Sequence, residues 1–97
     1  MIIRIVKLTF KETEIDRFKS LFEQVKEKII AQEGCEQLQL LQDVKNPKVF
    51  FTYSHWQSED HLNAYRHSEF FGETWKKTKA LFDGKPEAWS VNKIDEA

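Results

Sequence analysis

Two of the three histidines, both tyrosines and a tryptophan fall in two short stretches, Tyr53-Ser54-His55-Trp56 and Tyr65-Arg66-His67, with Phe71 and Trp75 downstream. Histidine titrates near neutrality, so His55 is a candidate general base for deprotonating a phenol or hydroquinone. The ordinary alternative is a strand-end histidine at a rim or subunit contact. His67 is a candidate hydrogen-bond partner for a ligand, or else a solvated loop histidine. Trp56, Tyr65, Phe71 and Trp75 are candidates for the walls of an apolar slot around a flat aromatic molecule, with the Tyr65 hydroxyl as an orienting group and Tyr53 beside the candidate base. Core packing is the alternative for each, and helical spacing favours it for Phe71 and Trp75. Arg4 interrupts an apolar strand, where it would pair either with a substrate anion or with a carboxylate on a neighbouring strand.

Other chemistries find no support in the spacing. His61 and His67 stand six residues apart, and no HxxE or HxxxH pair occurs, so no metal site is expected. Three glycines hardly make a phosphate-binding loop. The 15 basic and 16 acidic residues leave a net charge of −1 with no basic run, which argues against nucleic acid and against an anionic membrane surface. The apolar runs are too short to span a bilayer, and no signal-peptide pattern opens the chain. Cys35 is alone, which rules out an intramolecular disulfide and makes a reducing cytoplasm the simplest setting.

The elements that must position these groups can be read in order. A chain of 97 residues, 40% apolar and 32% charged, is expected to make one domain, residues 1–97. Met1 to Phe10 is β-branched and apolar and predicts a strand. Thr13, three residues before Asp16, approaches a capping box and opens a helix with Ile15, Phe18, Phe22, Val25 and Ile29 on one face. Gly34 closes that helix. Cys35 to Asp43 predicts a second strand, Lys45-Asn46-Pro47 a turn, and Val49 to Trp56 a third strand returning as a hairpin. Ser58 caps a short helix, and Ser68 renews it with Phe71, Trp75, Thr78 and Phe82 on one side. Asp83-Gly84 and Pro86 end it, and Ala88 to Ile94 predicts the last strand. The order β-α-β-β-α-β is the ferredoxin-like α+β arrangement, a four-stranded antiparallel sheet with the helices on one face.

Both parities of the first and third strands carry large apolar groups. In the third strand Val49, Phe51, Tyr53 and His55 share one face, and Phe50, Thr52, Ser54 and Trp56 the other. Helices on one side cannot cover both faces, so a second copy of the chain is expected to cover the remaining one, giving a two-fold homodimer packed sheet to sheet.

The element order, together with Glu33-Gly34-Cys35, Trp56-x-Ser58 and Ala64-Tyr65-x-x-Ser68-x-x-Phe71, resembles the antibiotic biosynthesis monooxygenase (ABM) domain family of dimeric α/β barrels over essentially the whole chain. The resemblance implies a dimer with a cavity between helices and sheet in each protomer. The family includes cofactor-independent oxygenases of quinols and polycyclic aromatics, in which a deprotonated substrate passes an electron to oxygen, as well as haem-degrading enzymes and proteins of no known reaction. Its pattern often has histidine where this chain has Tyr65 and Phe70. The axial histidine of the haem-degrading branch would fall at Trp75, and its first-strand asparagine at Val6. Tryptophan does not ligate iron, so haem degradation is not expected.

Two functions from different classes follow. One is a monooxygenase acting on a small electron-rich aromatic with no cofactor, His55 serving as base. The other is a non-catalytic dimeric barrel that binds a small apolar ligand. An RNA-recognition domain shares the strand order, but Lys48-Val49-Phe50-Phe51-Thr52-Tyr53 lacks the glycine its RNA-binding motif needs, and the charge is unfavourable.

Overall fold

The computed structural model describes residues 1–97. Its elements are β1 (Ile2–Thr9), a 3-10 turn (Glu12–Glu14), α1 (Ile15–Ile30), β2 (Cys35–Gln42), β3 (Val49–Trp56), α2 (Glu59–Arg66), α3 (Glu69–Lys79) and β4 (Glu87–Val91). The strands form one antiparallel sheet in the order β2-β3-β1-β4, the expected ferredoxin-like architecture.

Cross-strand partners in an antiparallel pair point to the same face, so the register sorts every strand residue. Leu38, Ser54, Arg4 and Ser90 form one row of the inner, helix-covered face, and Leu40, Thr52, Val6 and Ala88 form the next. On the outer face the rows are Gln37, His55, Ile3 and Val91, then Gln39, Tyr53, Ile5 and Trp89, then Leu41, Phe51, Lys7 and Glu87. The alternation expected for β3 therefore holds, with Trp56 and His55 on opposite sides of the sheet.

Three local expectations need correction. Thr13 does not cap the first helix: Glu12–Glu14 make a 3-10 turn, and α1 begins at Ile15 with no side-chain cap. The last strand is shorter than Ala88 to Ile94, because its pairing with β1 runs only from Glu87 opposite Lys7 to Val91 opposite Ile3. Phe82 lies beyond α3 and joins Phe10 in an isolated bridge. The caps on the second half stand as expected. Ser58 accepts from the backbone N–H of His61, and Ser68 from that of Phe71, so two short helices replace one continuous helix.

The core sits at one end of the helix–sheet layer. Leu8, Phe10, Phe18, Phe50 and Leu81 are buried together, and the Phe10 and Phe18 rings stack with centroids 4.1 Å apart. From Phe10 the aromatic contacts continue through Phe82, Trp75, Phe71 and Tyr65 to Trp56, each ring 5.1 to 5.9 Å from the next. Packing and candidate site thus share one continuous aromatic strip.

Candidate functional site

The other end of the same layer is not filled. A cavity of about 310 Å³ lies between the inner face of the sheet and the three helices. Its floor is built from Arg4, Val6, Leu38, Thr52 and Ser54, and its walls come from helical residues at i, i+3, i+4 spacing. Helix α2 supplies Leu62, Tyr65 and Arg66, and α3 supplies Phe71, Thr74, Trp75 and Thr78. Most of the lining is apolar, with a few hydroxyl and guanidinium groups set into it, the usual composition of a small-molecule site.

Trp56, almost wholly buried, anchors one wall. Its indole Nε1–H donates to Ser54 Oγ at 3.0 Å, which satisfies the polar edge of a core side chain and leaves one ring face to pack against α2. Tyr65 stacks on that face at 5.1 Å with 21° between the planes, and Phe71 meets Tyr65 edge-on. Phe71 and Trp75 are stacked at 5.9 Å with 12° between their planes. These flat surfaces suit a planar ligand.

The electrostatics of the wall are simple. Burial, with a smaller contribution from Cys35, pushes the Tyr65 phenol up to about 12, so Tyr65 is a neutral donor over the physiological range and not a base. The Arg4 guanidinium is lowered from its ordinary value, chiefly by burial and further by the charge of Arg66. Arg4 Nη1 donates to Ser90 Oγ at 3.0 Å. Burial also raises the Cys35 thiol, whose Sγ lies 3.9 Å from the Gln37 carbonyl oxygen. The thiol is half-buried. No group of three or more His, Cys, Asp or Glu side chains gathers to hold a metal.

Because the Tyr65 value is raised in the folded protein above its ordinary 10, stability is fully present below pH 10 and declines as pH climbs toward 12. Over that window Tyr65 accounts for a loss of about 2 to 3 kcal/mol. Tyr65→Phe is expected to flatten the alkaline limb of a denaturation-versus-pH curve while leaving the neutral region in place. An unchanged alkaline limb would contradict this.

The tertiary structure brings together Arg4, Trp56, Tyr65, Phe71 and Trp75, all on the cavity wall. Tyr53, His55 and His67 are not with them. Tyr53 and His55 lie on the outer face of the sheet, their rings 5.1 Å apart, and the Nε2 of His55 is buried without a hydrogen-bond partner in the chain. The period-two pleat forces this: a residue next to Trp56 on a strand must point the other way. His67 is exposed just past the end of α2, its Nδ1 2.8 Å from the Asn63 carbonyl oxygen. The expectation that His55 serves the aromatic slot as its base therefore meets a geometric obstacle within one chain. Sequence reasoning passed over Arg66, although it stands four residues after Leu62 and one after Tyr65, the helical spacing that puts all three on the cavity side.

A cavity between helices and sheet, walled by aromatics, is the arrangement the motifs implied. Residues 1–77 match the sequence profile of the family described as antibiotic biosynthesis monooxygenase. The chain belongs to the ABM family. No curated protein matches it. Among solved structures, an antibiotic biosynthesis monooxygenase is similar over 98% of this chain and 100% of its own, with a TM-score of 0.90 at 20% identity. A conserved protein from Methanosarcina mazei Go1 is 24% identical with a TM-score of 0.88, covering 96% of this chain and 93% of that one. SnoaB, a cofactor-independent oxygenase from Streptomyces nogalater crystallised as a variant, has a TM-score of 0.87 at 15% identity, over 98% and 94% of the two chains. At these identities the likenesses speak for the ABM fold. No helix of this ABM chain is long and apolar enough to cross a membrane.

Proposed function

We propose that the protein is a monooxygenase that oxidises a small electron-rich aromatic, of the quinol or hydroxylated polycyclic type, without flavin, haem or metal. The observation that carries this reading is the aromatic cavity itself, with stacked Trp56–Tyr65 and Phe71–Trp75 pairs and the neutral hydroxyl of Tyr65 as a donor. Membership of the ABM family and a fold neighbour described as a cofactor-independent oxygenase support it. In the simplest case a ring methylene becomes a carbonyl: O2 supplies the carbonyl oxygen, and its second atom leaves as water with the two hydrogens lost from carbon. The electrons come from the substrate, so the protein's part is to exclude bulk water, hold the ring flat and stabilise the substrate anion. His55 faces away from this cavity, so removal of the proton falls to solvent, aided by local positive charge.

Oxygen uptake in the presence of hydroquinones and anthrones tests the reading. The protein is expected to accelerate uptake over the uncatalysed rate, and Thr52→Phe, which places a ring on the cavity floor, should abolish the acceleration. His55→Ala should leave the rate within about twofold. Uptake no faster than the uncatalysed rate, with saturable ligand binding retained, would favour the second reading of a non-catalytic binding barrel. The lack of any imidazole or carboxylate on the cavity wall is the observation on that side.

The outer sheet face supports a homodimer. Trp89, Leu41 and Val91 are exposed there, Trp89 by 45%, next to half-buried Ile5, Phe51 and Tyr53. A second copy packed on this face would remove that apolar surface from water. Sedimentation is expected to return twice the 11.6 kDa chain mass, and Trp89→Glu is expected to shift it toward the single chain. A wild-type monomer at micromolar concentration would refute the dimer.

A further inference from the structure

Two arginines project into a mainly apolar cavity with no acid to meet them. Arg4 rises from the sheet floor, and Arg66 comes from the last turn of α2. Neither takes part in an ion pair: the chain's six close charge pairs involve Lys7, Arg17, Lys26, Lys48, His61 and Lys93 as their basic partners. The only side-chain hydrogen bond on Arg4 goes to the hydroxyl of Ser90, its row partner on β4, and Arg66 makes none. The rest of the wall carries hydroxyls, aromatic rings and aliphatic groups, without one carboxylate.

Such a pair is open to an anionic ligand. Each guanidinium offers five N–H donors, and most of these on Arg4 and Arg66 have no protein acceptor and stay open to solvent or to a ligand. The two positive charges share a site with few polar groups, and the Arg4 guanidinium is lowered first by burial and then by the charge of Arg66. Arg66 is exposed, whereas Arg4 is half-buried against the sheet, where water screens its charge less. An anion placed between them would accept from two guanidiniums and offset their like charge while its ring lies against the stacked aromatics.

We propose that Arg4 and Arg66 form the anion-binding end of the cavity, and that its ligand is a planar aromatic bound through an acidic group, a carboxylate or a phenolate. This deepens the function proposed above and rests on its reading of the cavity as the substrate site. It also supplies what the wall lacks as a base: two fixed positive charges favour the ionised form of an acidic phenol, so the substrate can lose its proton to water and be held as the electron-rich anion.

Binding of simple probes separates this inference from the question of catalysis. Titration of the purified protein with 2-naphthoate and with the neutral 2-naphthamide, followed by Trp fluorescence or calorimetry, is expected to show the carboxylate binding at least about tenfold more tightly. Arg66→Gln and Arg4→Gln should each reduce that preference by about tenfold while leaving the amide unaffected, and raised salt should weaken only the anion. Arg66 is exposed, so its variant keeps the test valid if Arg4→Gln folds poorly. For the phenolate arm, 2-naphthol should show a lowered ionisation pH when bound, lost in either variant. Equal affinity for acid and amide, loss of both ligands alike in Arg66→Gln, or no saturable binding of either probe would overturn the proposal. Anion preference without oxygen uptake would leave the anion site standing and remove the monooxygenase reading alone.

Discussion

Gly34→Ala is expected to lower the unfolding free energy by about 2 to 4 kcal/mol, from left-handed backbone and steric overlap together. Gly34 has φ +85°, a region that L side chains enter at a cost, and it is the one residue of the chain with positive φ. A methyl group on it would also come within 2.6 Å of Cδ2 of His61, on the first turn of α2. His61 cannot simply turn aside, because its Nδ1 is 2.7 Å from Ser58 Oγ, the cap of the same helix. The Gly34 carbonyl also accepts from the backbone N–H of Gln57 at 2.8 Å, joining the end of the first helical segment to the β3–α2 junction. The substitution should therefore displace α2, and with it Tyr65 and Arg66, so affinity for aromatic ligands should fall as well as stability. Chemical denaturation of Gly34→Ala, His61→Ala and the double variant checks this. The double variant should recover the steric share and keep the backbone share. A single variant as stable as the wild type would show that the turn tolerates a side chain.

Phe10→Ala is expected to have the larger effect on stability alone, about 3 to 5 kcal/mol. Phe10 is wholly buried just after β1, and its ring contacts Phe18, Phe50 and Phe82, which belong to a helix, another strand and the loop after α3. Its backbone N–H donates to the Lys48 carbonyl oxygen, so the site cannot readily collapse around the missing ring. Since small domains have only about 5 to 15 kcal/mol in hand, the variant should melt at least about 12 °C lower, or fail to fold cooperatively. Differential scanning calorimetry checks it; a drop of only a few degrees would mean that the cavity refills. Because the aromatic strip runs from Phe10 through Phe82 and Trp75 to the cavity wall, ligand binding should weaken too, in contrast to Phe51→Ala on the outer face.

The legible part of this protein is the part governed by local chemistry. Alternation along Val49 to Trp56, caps at Ser58 and Ser68, and the glycine at 34 required by a left-handed turn are each properties of a few consecutive residues, and the structure keeps all of them. Thr13 misled because a 3-10 turn satisfies the start of α1 without a side-chain cap, and the last strand was overextended because its end is set by pairing with β1, not by its own composition.

The sequence by itself determined the element order, the ferredoxin-like architecture, the family and the aromatic character of the site, since these follow from periodicity, capping and residue type. Only the tertiary structure decided which of the neighbouring reactive groups share a space. Trp56 and His55 are adjacent in sequence yet separated by the sheet, because the pleat sends successive side chains to opposite faces. Arg4 and Arg66 are 62 positions apart in sequence yet line one cavity, because α2 turns its Leu62–Tyr65–Arg66 face toward the space whose floor includes Arg4. Adjacency along a strand is a poor guide to a site; register and helix packing choose its members.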